Sequence, residues 1–145
     1  MAARRARSVT NDRKILLVEG NPAAGSVVSG ALARRGHKVV WAESAEEAMQ
    51  LLHDAVYIGQ NFDALLADYH LADASALRII RDFRSEFHRA PVGLMTHQND
   101  IATAIWANSK GIPVLEKPLR ERDLLLWLSD VETRGAWTNV KPVSA

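Results

Sequence analysis

Five short, mostly apolar runs alternate with five longer segments of mixed polarity along this chain. The runs have the length of β-strands and cover residues 15–18, 37–41, 62–67, 92–95 and 112–115. The first run, Ile15-Leu16-Leu17-Val18, shows no alternation of polar and apolar residues. Such a pattern is typical of a strand that is covered on both faces of a sheet. We therefore predict five strands, the first of them fully buried.

Each segment after a run carries the spacing or the boundary residues of a helix. The predicted helices cover residues 22–35, 45–53, 75–87, 100–109 and 121–133. Asn21 is a suitable N-cap before Pro22, and Ser44-Ala45-Glu46-Glu47 is a capping box. Three helices are followed by a glycine suited to ending them, namely Gly36, Gly111 and Gly135. Residues 54–61 are expected to form a surface connection.

The alternation of strands and helices, joined by short links, predicts an α/β fold with a doubly wound parallel sheet. Crossovers between parallel strands are right-handed, which places helices on both faces. In open sheets of this kind, ligands bind outside the carboxyl ends of the strands. Five residues follow the predicted strands at that edge, namely Glu19, Gly20, Asp68, Thr96 and Lys117.

The composition is that of one globular domain, with 145 residues, of which 48% are hydrophobic and 24% charged. The absence of cysteine excludes disulfides and thiolate metal sites. No apolar run approaches the roughly 18–20 residues that cross a bilayer, and no secretory signal follows the basic N-terminus. We therefore expect a cytoplasmic chain that makes no membrane contact.

The formal net charge of +1 is unevenly distributed. Residues 1–13 hold four arginines against Asp12, a local charge of +3, so the rest of the chain carries −2. That body is not a basic platform for nucleic acid. We predict a basic flexible arm over 1–13, a domain over 14–134 and a tail over 135–145, with no output domain after Gly135.

The residues at the strand ends form a coherent chemical set. A carboxylate at Asp68, directly after a buried strand, is costly unless it meets a cation or hydrogen-bond donors. Lys117 supplies a cation, Thr96 a hydroxyl and Glu19 a second carboxylate. Two carboxylates with a lysine suit Mg²⁺ and a phosphoryl group. Asp68 taken alone is equally compatible with a turn or capping aspartate.

From about Lys14 to Val131 the chain resembles a CheY-like receiver domain of the response-regulator type. The segments ILLVEGNP, DALLADYHLAD, GLMT and VLEKPL carry the resemblance, in the right order and at the right spacing. It implies a flavodoxin-like, CheY-like sheet of order 2-1-3-4-5 with five helices, in a bacterial two-component phosphorelay. DYHLAD and GIPVLEKPL resemble receivers that belong to, or work with, hybrid sensor kinases.

The resemblance also implies a role for each residue at the strand ends. Asp68 would take a phosphoryl group from a sensor histidine kinase or a phosphotransfer protein. Lys117 would pair with the phosphate, and Thr96 would hydrogen-bond it and convert the chemistry into a change of shape. Glu19, Asp68 and the backbone carbonyl of His70 would bind Mg²⁺. The chain would not be an enzyme beyond self-phosphorylation and autodephosphorylation.

Two finer features come from the same resemblance. The Lys117–Pro118 bond is expected to be cis. His70 and Gln98 occupy positions that in the family tune dephosphorylation.

Three positions depart from the family pattern. Receivers carry two adjacent acids after the first strand, but here Gly20 follows Glu19, so Mg²⁺ binding is expected to be weaker. Val114 stands where an aromatic residue is common, and His97 stands where small residues are common. These departures leave open an alternative, a phosphorylation-independent pseudo-receiver that acts as a dimerisation or scaffold module.

Several other features of the sequence bear on its function. Asp68, His70 and Asp73 resemble a cobalamin-binding box, but Asp73 replaces its glycine and the box follows the third strand. His37, His53 and His88 are expected to be solvated. The apolar run 124–128 and Trp106 are expected to be partly exposed. They favour a homodimer or partner docking through the fourth helix, fifth strand and fifth helix.

Overall fold

Five parallel strands and five helices alternate along residues 12–138, the part of the chain that the computed structural model describes. In chain order they are β1 (Lys14–Val18), α1 (Pro22–Arg34), β2 (Lys38–Ala42), α2 (Ala45–Tyr57), β3 (Ala64–Asp68), α3 (Leu77–Glu86), β4 (Val92–Thr96), α4 (Ile101–Ser109), β5 (Val114–Glu116) and α5 (Glu121–Thr138). The strands pair in the order β2-β1-β3-β4-β5, and every pairing is parallel. The predicted fold class and strand order are confirmed.

Alternate side chains of the buried strands pack against opposite helix layers. Leu16 and Val18 of β1 join an apolar cluster with α2, α3 and α4. Ile15 and Leu17 join a second cluster with α1 and α5. Both faces of β1 are therefore covered, which explains its uninterrupted apolar sequence.

Side-chain caps fix the starts of three helices. The Asn21 side chain accepts a hydrogen bond from the amide of Ala24 at 3.0 Å. Ser44 Oγ accepts from the amide of Glu47 at 3.1 Å, which is one half of the predicted capping box. The other half differs, because the Glu47 carboxylate accepts from the amide of Glu43 and not from that of Ser44. Asp100 caps α4, because its side chain accepts from the amide of Thr103 at 3.2 Å. Gly36 and Gly111 have φ of 92° and 70°, as expected for glycines that end helices.

The second helix is longer than the sequence predicted. Residues 54–57 continue α2, so the expected connection over 54–61 is wrong for those four residues. Ala55 is buried and extends the stripe that Ala48 and Leu52 form on the inner face. The helix ends just before Gly59, whose φ is 77°.

Three other elements begin two residues later than predicted. β3 starts at Ala64, because Phe62 packs edge-on against Phe87 before the chain enters the sheet. β5 starts at Val114, because the amide of Ile112 still donates to Ala107 in α4 at 2.9 Å. α3 starts at Leu77, because Ser75 forms an isolated bridge with His70.

The last helix passes through Gly135 to Thr138, so the prediction that Gly135 ends it is wrong. A glycine inside a helix costs about 1 kcal/mol relative to alanine. The buried face of α5, formed by Leu124, Trp127, Leu128 and Val131, anchors the helix strongly enough to outweigh that cost. Residues 1–11 of the predicted arm and 139–145 of the predicted tail lie outside the described residues.

A polar cluster ties α5 to the starts of β1 and β2. The amide of Arg13 donates to His37 Nδ1 at 3.2 Å, so the ring proton lies on Nε2 and points to Glu132 Oε2 at 2.9 Å. Arg35 Nη2 lies 2.7 Å from Glu132 Oε1. Arg13 and His37 are both buried. Placing Arg13 in a flexible arm was therefore wrong, as was expecting a solvated His37, whereas His53 and His88 are exposed.

Replacing Glu132 with alanine should lower the free energy of unfolding by about 2 kcal/mol, because the buried His37 N–H loses its acceptor. Burial raises the pKa of Glu132, but the hydrogen bonds from Arg35 and His37 outweigh it, and the net pKa lies below the ordinary 4.5. The stabilisation is therefore present above pH 4.5 and is lost as the pH falls below it. Urea unfolding at several pH values measures both effects. The exposed Glu86→Ala serves as control, and equal losses in the two variants would contradict the assignment.

Candidate functional site

The carboxyl ends of three strands bring Glu19, Asp68 and Lys117 together. Asp68 is the last residue of β3, whereas Glu19 and Lys117 directly follow β1 and β5. Lys117 Nζ lies 2.7 Å from Asp68 Oδ2 and 2.6 Å from Glu19 Oε1. Asp68 and Glu19 are 4% and 1% exposed. The ammonium group is thus the shared partner of two buried carboxylates.

The remaining carboxylate oxygens are held by backbone amides. Asn21 N–H donates to Glu19 Oε2 at 3.0 Å, and His70 N–H donates to Asp68 Oδ1 at 3.1 Å. Each carboxylate is therefore fixed by one amide and by Lys117. Both amides belong to the loops that follow β1 and β3, so the loops orient the acids that the strands deliver.

The site has a formal charge of −1, because one lysine faces two acids. Burial lowers the pKa of Lys117, but the hydrogen bonds and charges of Asp68 and Glu19 outweigh it, so the pKa lies above the ordinary 10.5. Lys117 is consequently protonated at neutral pH. The excess negative charge and the shared ammonium favour a cation or an electrophilic phosphorus at the open side of the cluster.

Thr96 is 1% exposed and is the last residue of β4. The strand register places Asp68 opposite Met95, so Thr96 lies one residue beyond it. The carbonyl of Thr96 accepts from the amide of Lys117 at 2.8 Å, which couples the two strand ends through the backbone. Within the described chain, the Thr96 hydroxyl makes no hydrogen bond to Asp68. The Lys117–Pro118 peptide is cis, as expected.

The donor set fits Mg²⁺. Glu19 and Asp68 converge on one ammonium position, and Mg²⁺ is commonly held by one or two carboxylates together with water and substrate phosphates. Between residues 12 and 138, no group of three His, Cys, Asp or Glu side chains is arranged to hold a metal ion. The carboxylates of Glu19 and Asp68, with the carbonyl of His70, would hold Mg²⁺ with few protein ligands.

Sequence reasoning missed two residues that support the site. Trp41 of β2 donates from Nε1 to the carbonyl of Glu19 at 2.9 Å, and its ring lies where a Cβ on Gly25 would be. Asp73 accepts from the amides of Ala45 and Glu46 at 3.0 and 2.9 Å, which lower its pKa. These contacts join elements that are far apart in the sequence. Gly25, which leaves room for the Trp41 ring, was the only local sign of either contact.

The loops after β3 and β4 meet through aromatic and charged side chains beside Asp68. His70 Nε2 lies 2.6 Å from Asp100 Oδ2, and the His70 and His97 rings stack with centroids 5.1 Å apart. Hydrogen bonds from His70, then from Thr103, lower the pKa of Asp100 to about 2. His97 is exposed, although its ring stacks on that of His70.

Gly20→Asp should tighten Mg²⁺ binding at least about tenfold, because it adds a carboxylate to a site with two. A Cβ on Gly20 would lie 3.2 Å from the carbonyl oxygen of Glu43, so the loop must give by a few tenths of an ångström. We expect a small loss of stability without metal. Isothermal titration with MgCl₂ measures the affinity. Gly20→Asn, which has the same shape without the charge, is the control, and an equal gain in both variants would contradict the charge argument.

A five-stranded sheet of this order, with a buried carboxylate and a lysine at its carboxyl edge, defines the CheY-like class. The family model of the response regulator receiver domain matches residues 15–129. The chain therefore belongs to the response regulator receiver domain family. This match favours a receiver over the cobalamin-binding alternative.

Relatives agree with this assignment. The chain is 29% identical over 115 residues to the transcriptional regulatory protein AruR of Pseudomonas aeruginosa, covering 77% of this chain and 46% of AruR. It is 25% identical over 126 residues to the transcriptional regulatory protein CpxR of Escherichia coli K12, covering 86% of this chain and 51% of CpxR. The chain spans about half the length of these curated relatives.

Solved structures show the same fold. A response regulator receiver domain protein from Clostridium thermocellum superposes with a TM-score of 0.75 at 21% identity, covering 87% of this chain and 98% of that one. The receiver domain of the hybrid histidine kinase CckA superposes with a TM-score of 0.66 at 23% identity, covering 82% and 98%.

Family membership makes the chain a response regulator receiver domain, homologous to two-component response regulators. It does not favour the phosphorylation-independent alternative. Receivers are generally non-enzymatic signalling modules that bind Mg²⁺ for phosphorylation and interact with histidine kinases or phosphotransfer proteins. None of the helices within residues 12–138 is both long and apolar enough to cross a membrane.

Proposed function

We propose that Asp68 accepts a phosphoryl group from a sensor histidine kinase or a phosphotransfer protein. The observation that carries the proposal is the Lys117 ammonium, which lies 2.7 Å from Asp68 and 2.6 Å from Glu19 at the carboxyl edge of the sheet. A lysine that served only to neutralise one buried acid would need a single partner. Lys117 instead contacts two buried carboxylates, those of Glu19 and Asp68. A kinase partner implies the cytoplasm as the compartment.

The chemistry is a transfer between two nucleophiles. A carboxylate oxygen of Asp68 forms a bond to the phosphorus of a phosphohistidine as the P–N bond breaks. The electron pair of that bond stays on the imidazole nitrogen, which then takes a proton from solvent. The products are an aspartyl phosphate and a neutral histidine. Later attack by water at phosphorus would release phosphate and regenerate Asp68, the self-dephosphorylation expected of the site.

The charges explain what each neighbour contributes. The acyl phosphate carries about −2 at neutral pH, so with Glu19 and Lys117 the site changes from −1 to about −2. Lys117 exchanges its contact with Asp68 for one with a phosphate oxygen, as a point charge. Mg²⁺ would be held by Glu19, Asp68 and the His70 carbonyl, and when bound it would supply the remaining neutralisation. Because Gly20 contributes no carboxylate, we infer that this metal site is weak.

The burial of Thr96 and its place at the end of β4 support a role in sensing the product. Its hydroxyl is buried at the end of β4, one residue beyond the partner of Asp68. A phosphoryl oxygen would be its hydrogen-bond acceptor, and the shift of Thr96 would move the loop that leads to α4. Val114 lies three residues before Lys117, so a rotating aromatic side chain is absent at that position.

Incubation with acetyl phosphate and MgCl₂ tests the proposal. We expect a mass gain of one phosphoryl group that is lost on treatment with hydroxylamine, as for an acyl phosphate. A phosphorylated peptide that maps elsewhere than Asp68, or the absence of any adduct, would contradict it.

We also propose a homodimer through α4, β5 and α5. Of the run 124–128, only Leu126 is largely exposed, at 66%, whereas Leu124, Trp127 and Leu128 are buried. Ile101 and Ile105 of α4 are 68% and 65% exposed. This apolar face is smaller than the sequence suggested.

Sedimentation equilibrium of the phosphorylated chain should show a concentration-dependent dimer, and Ile105→Asp should weaken it at least about tenfold by placing a charge in the interface. Val27→Asp, at an exposed apolar residue of α1, is the control. Equal effects of the two substitutions would rule out this face.

A further inference from the structure

A cavity lies between α3 and α4, apart from the phosphoacceptor site. Its volume is about 330 Å³, and none of Glu19, Asp68, Thr96 or Lys117 lines it. The lining consists of four apolar side chains, Leu77, Ile80, Trp106 and Ile112, and three cationic ones, Arg81, Arg84 and Lys110. The cavity therefore combines an apolar surface with positive charge alone.

The apolar part of the lining is built into the core. Ile80 and Ile112 are each 3% exposed, and Trp106 packs partly buried against the same cluster. The Trp106 ring also contacts Tyr69, with centroids 6.0 Å apart, which limits its rotation. A preformed wall with one large aromatic face is typical of sites for small organic molecules.

The cationic part has no acidic counterpart in the cavity. Arg84 Nη1 donates to the carbonyl of Lys110 at 3.1 Å, which holds the guanidinium at the end of α4. In the region from residue 12 to 138, none of Arg81, Arg84 and Lys110 forms an ion pair with a carboxylate. Asp82, on the same helix as Arg81 and Arg84, lies 3.6 Å from His53 of α2. Three like charges around one cavity attract an anion and disfavour a cation.

We propose that this cavity binds a small amphipathic organic anion, with an aromatic or aliphatic body against Trp106 and Ile80 and a carboxylate, sulfonate or phosphate group at Arg81, Arg84 and Lys110. Guanidinium groups present paired donors that match such oxyanions. The volume lies at the lower end of the range for small-molecule sites, about 300–1,000 Å³. This inference is independent of the phosphorylation of Asp68.

The distribution of charge along the cavity favours a small molecule over an acidic helix. Leu77 lies in the first turn of α3, whereas Arg84 lies in its last turn and Lys110 caps the end of α4. Helices that follow parallel strands run in the same direction, so Leu77 lies at one end of the lining, whereas Arg81 lies near its middle and Arg84 and Lys110 lie at its other end. A docked acidic helix would need cations along the whole groove.

Titration of the 145-residue chain with anilinonaphthalene sulfonate, a dye with an aromatic body and one anionic group, tests the proposal. We expect a dissociation constant of about tens of micromolar. In proton–nitrogen correlation NMR, the indole resonance of Trp106 should shift, while those of Trp41 and Trp127 should stay in place. Shifts at Trp41 or Trp127 instead of Trp106 would overturn the proposal.

Matched variants and ligands separate charge from apolar contact. Arg84→Met, which keeps the stem and removes the charge, should weaken binding about tenfold, and Arg81→Met should act in the same direction. Arg78→Met, on the same helix but outside the lining, should leave binding unchanged. The uncharged N-phenylnaphthylamine should bind at least about tenfold more weakly than the sulfonate.

Three further results would overturn the proposal. Equal losses in Arg84→Met and Arg78→Met would show that the binding does not use the cavity cations. Equal affinities for the charged and the uncharged dye would show apolar adsorption. A shift of Trp106 with an oligoglutamate peptide but not with the dye would identify a protein-docking groove in place of a small-molecule site.

Discussion

Asp68→Asn is expected to abolish phosphorylation by acetyl phosphate, with no adduct detectable under conditions that convert the wild-type chain. The amide is a poor nucleophile, and it cannot form an acyl phosphate. The other carboxylate of the site, Glu19, would remain paired with Lys117. We therefore expect no nearby group to replace Asp68 as the acceptor. Intact-mass spectrometry before and after hydroxylamine treatment measures the effect.

The same substitution should leave the fold intact. Asparagine keeps the size of Asp68 and an oxygen that can accept from the amide of His70. One lysine then faces one acid, so we expect the free energy of unfolding to change by no more than about 1 kcal/mol. Asp54→Asn, at an exposed residue of α2, is the matched control and should phosphorylate normally. An adduct of wild-type size on Asp68→Asn would mean that another residue is the acceptor.

Lys117→Met is expected to be the most destabilising single change at the site, lowering the free energy of unfolding by about 3–5 kcal/mol. It leaves the buried carboxylates of Glu19 and Asp68 without the cation that both contact. Because the pKa of Lys117 is raised by folding, its contribution is complete below pH 10.5 and is lost only as the pH rises above that value. Urea unfolding at neutral pH therefore reports the full effect.

Magnesium should partly restore the stability of Lys117→Met. A ligand that binds only the folded chain stabilises it by mass action, and removal of the ammonium leaves two carboxylates facing an open position. We expect MgCl₂ to raise the unfolding midpoint of the variant more than that of the wild type. Lys38→Met, at an exposed lysine on β2, controls for the loss of a charge. Equal responses of wild type and Lys117→Met to MgCl₂ would contradict a shared site for the lysine and the metal.

Much of the fold follows from local signals in the sequence. Apolar runs such as Ile15-Leu16-Leu17-Val18 identify buried strands, and Asn21 with Pro22 marks a helix start that the structure reproduces. Parallel strands bring their carboxyl ends to one edge, so the proximity of Asp68 and Lys117 could be predicted from 49 residues away. The strand topology alone therefore predicts that the main charged residues of the site lie close together.

Long-range side-chain contacts could not be predicted in this way. His37 and Glu132 are separated by 95 residues in the sequence, and the hydrophobic pattern around neither residue predicts their contact. The same holds for Trp41, whose position over Gly25 depends on how closely α1 approaches β2. The C-terminal ends of α2 and α5 depend on packing that outweighs local preference, as Gly135 inside α5 illustrates.

The extension of α2 left a weak local sign in the sequence. Ala48, Leu52 and Ala55 continue one helical stripe, and the stripe reaches past His53. Alanine is too weakly apolar to distinguish a buried helical position from a connection. The length of the helix was therefore decided by burial against the core.

Phosphorylation of the wild-type chain by acetyl phosphate across a MgCl₂ titration tests the central claim most directly, because it asks whether Asp68 accepts a phosphoryl group although Gly20 contributes no carboxylate. We predict a hydroxylamine-sensitive adduct whose rate of formation rises with MgCl₂ and saturates at a higher concentration than in Gly20→Asp. An adduct that forms at the same rate without magnesium, or no adduct at saturating magnesium, would contradict the account.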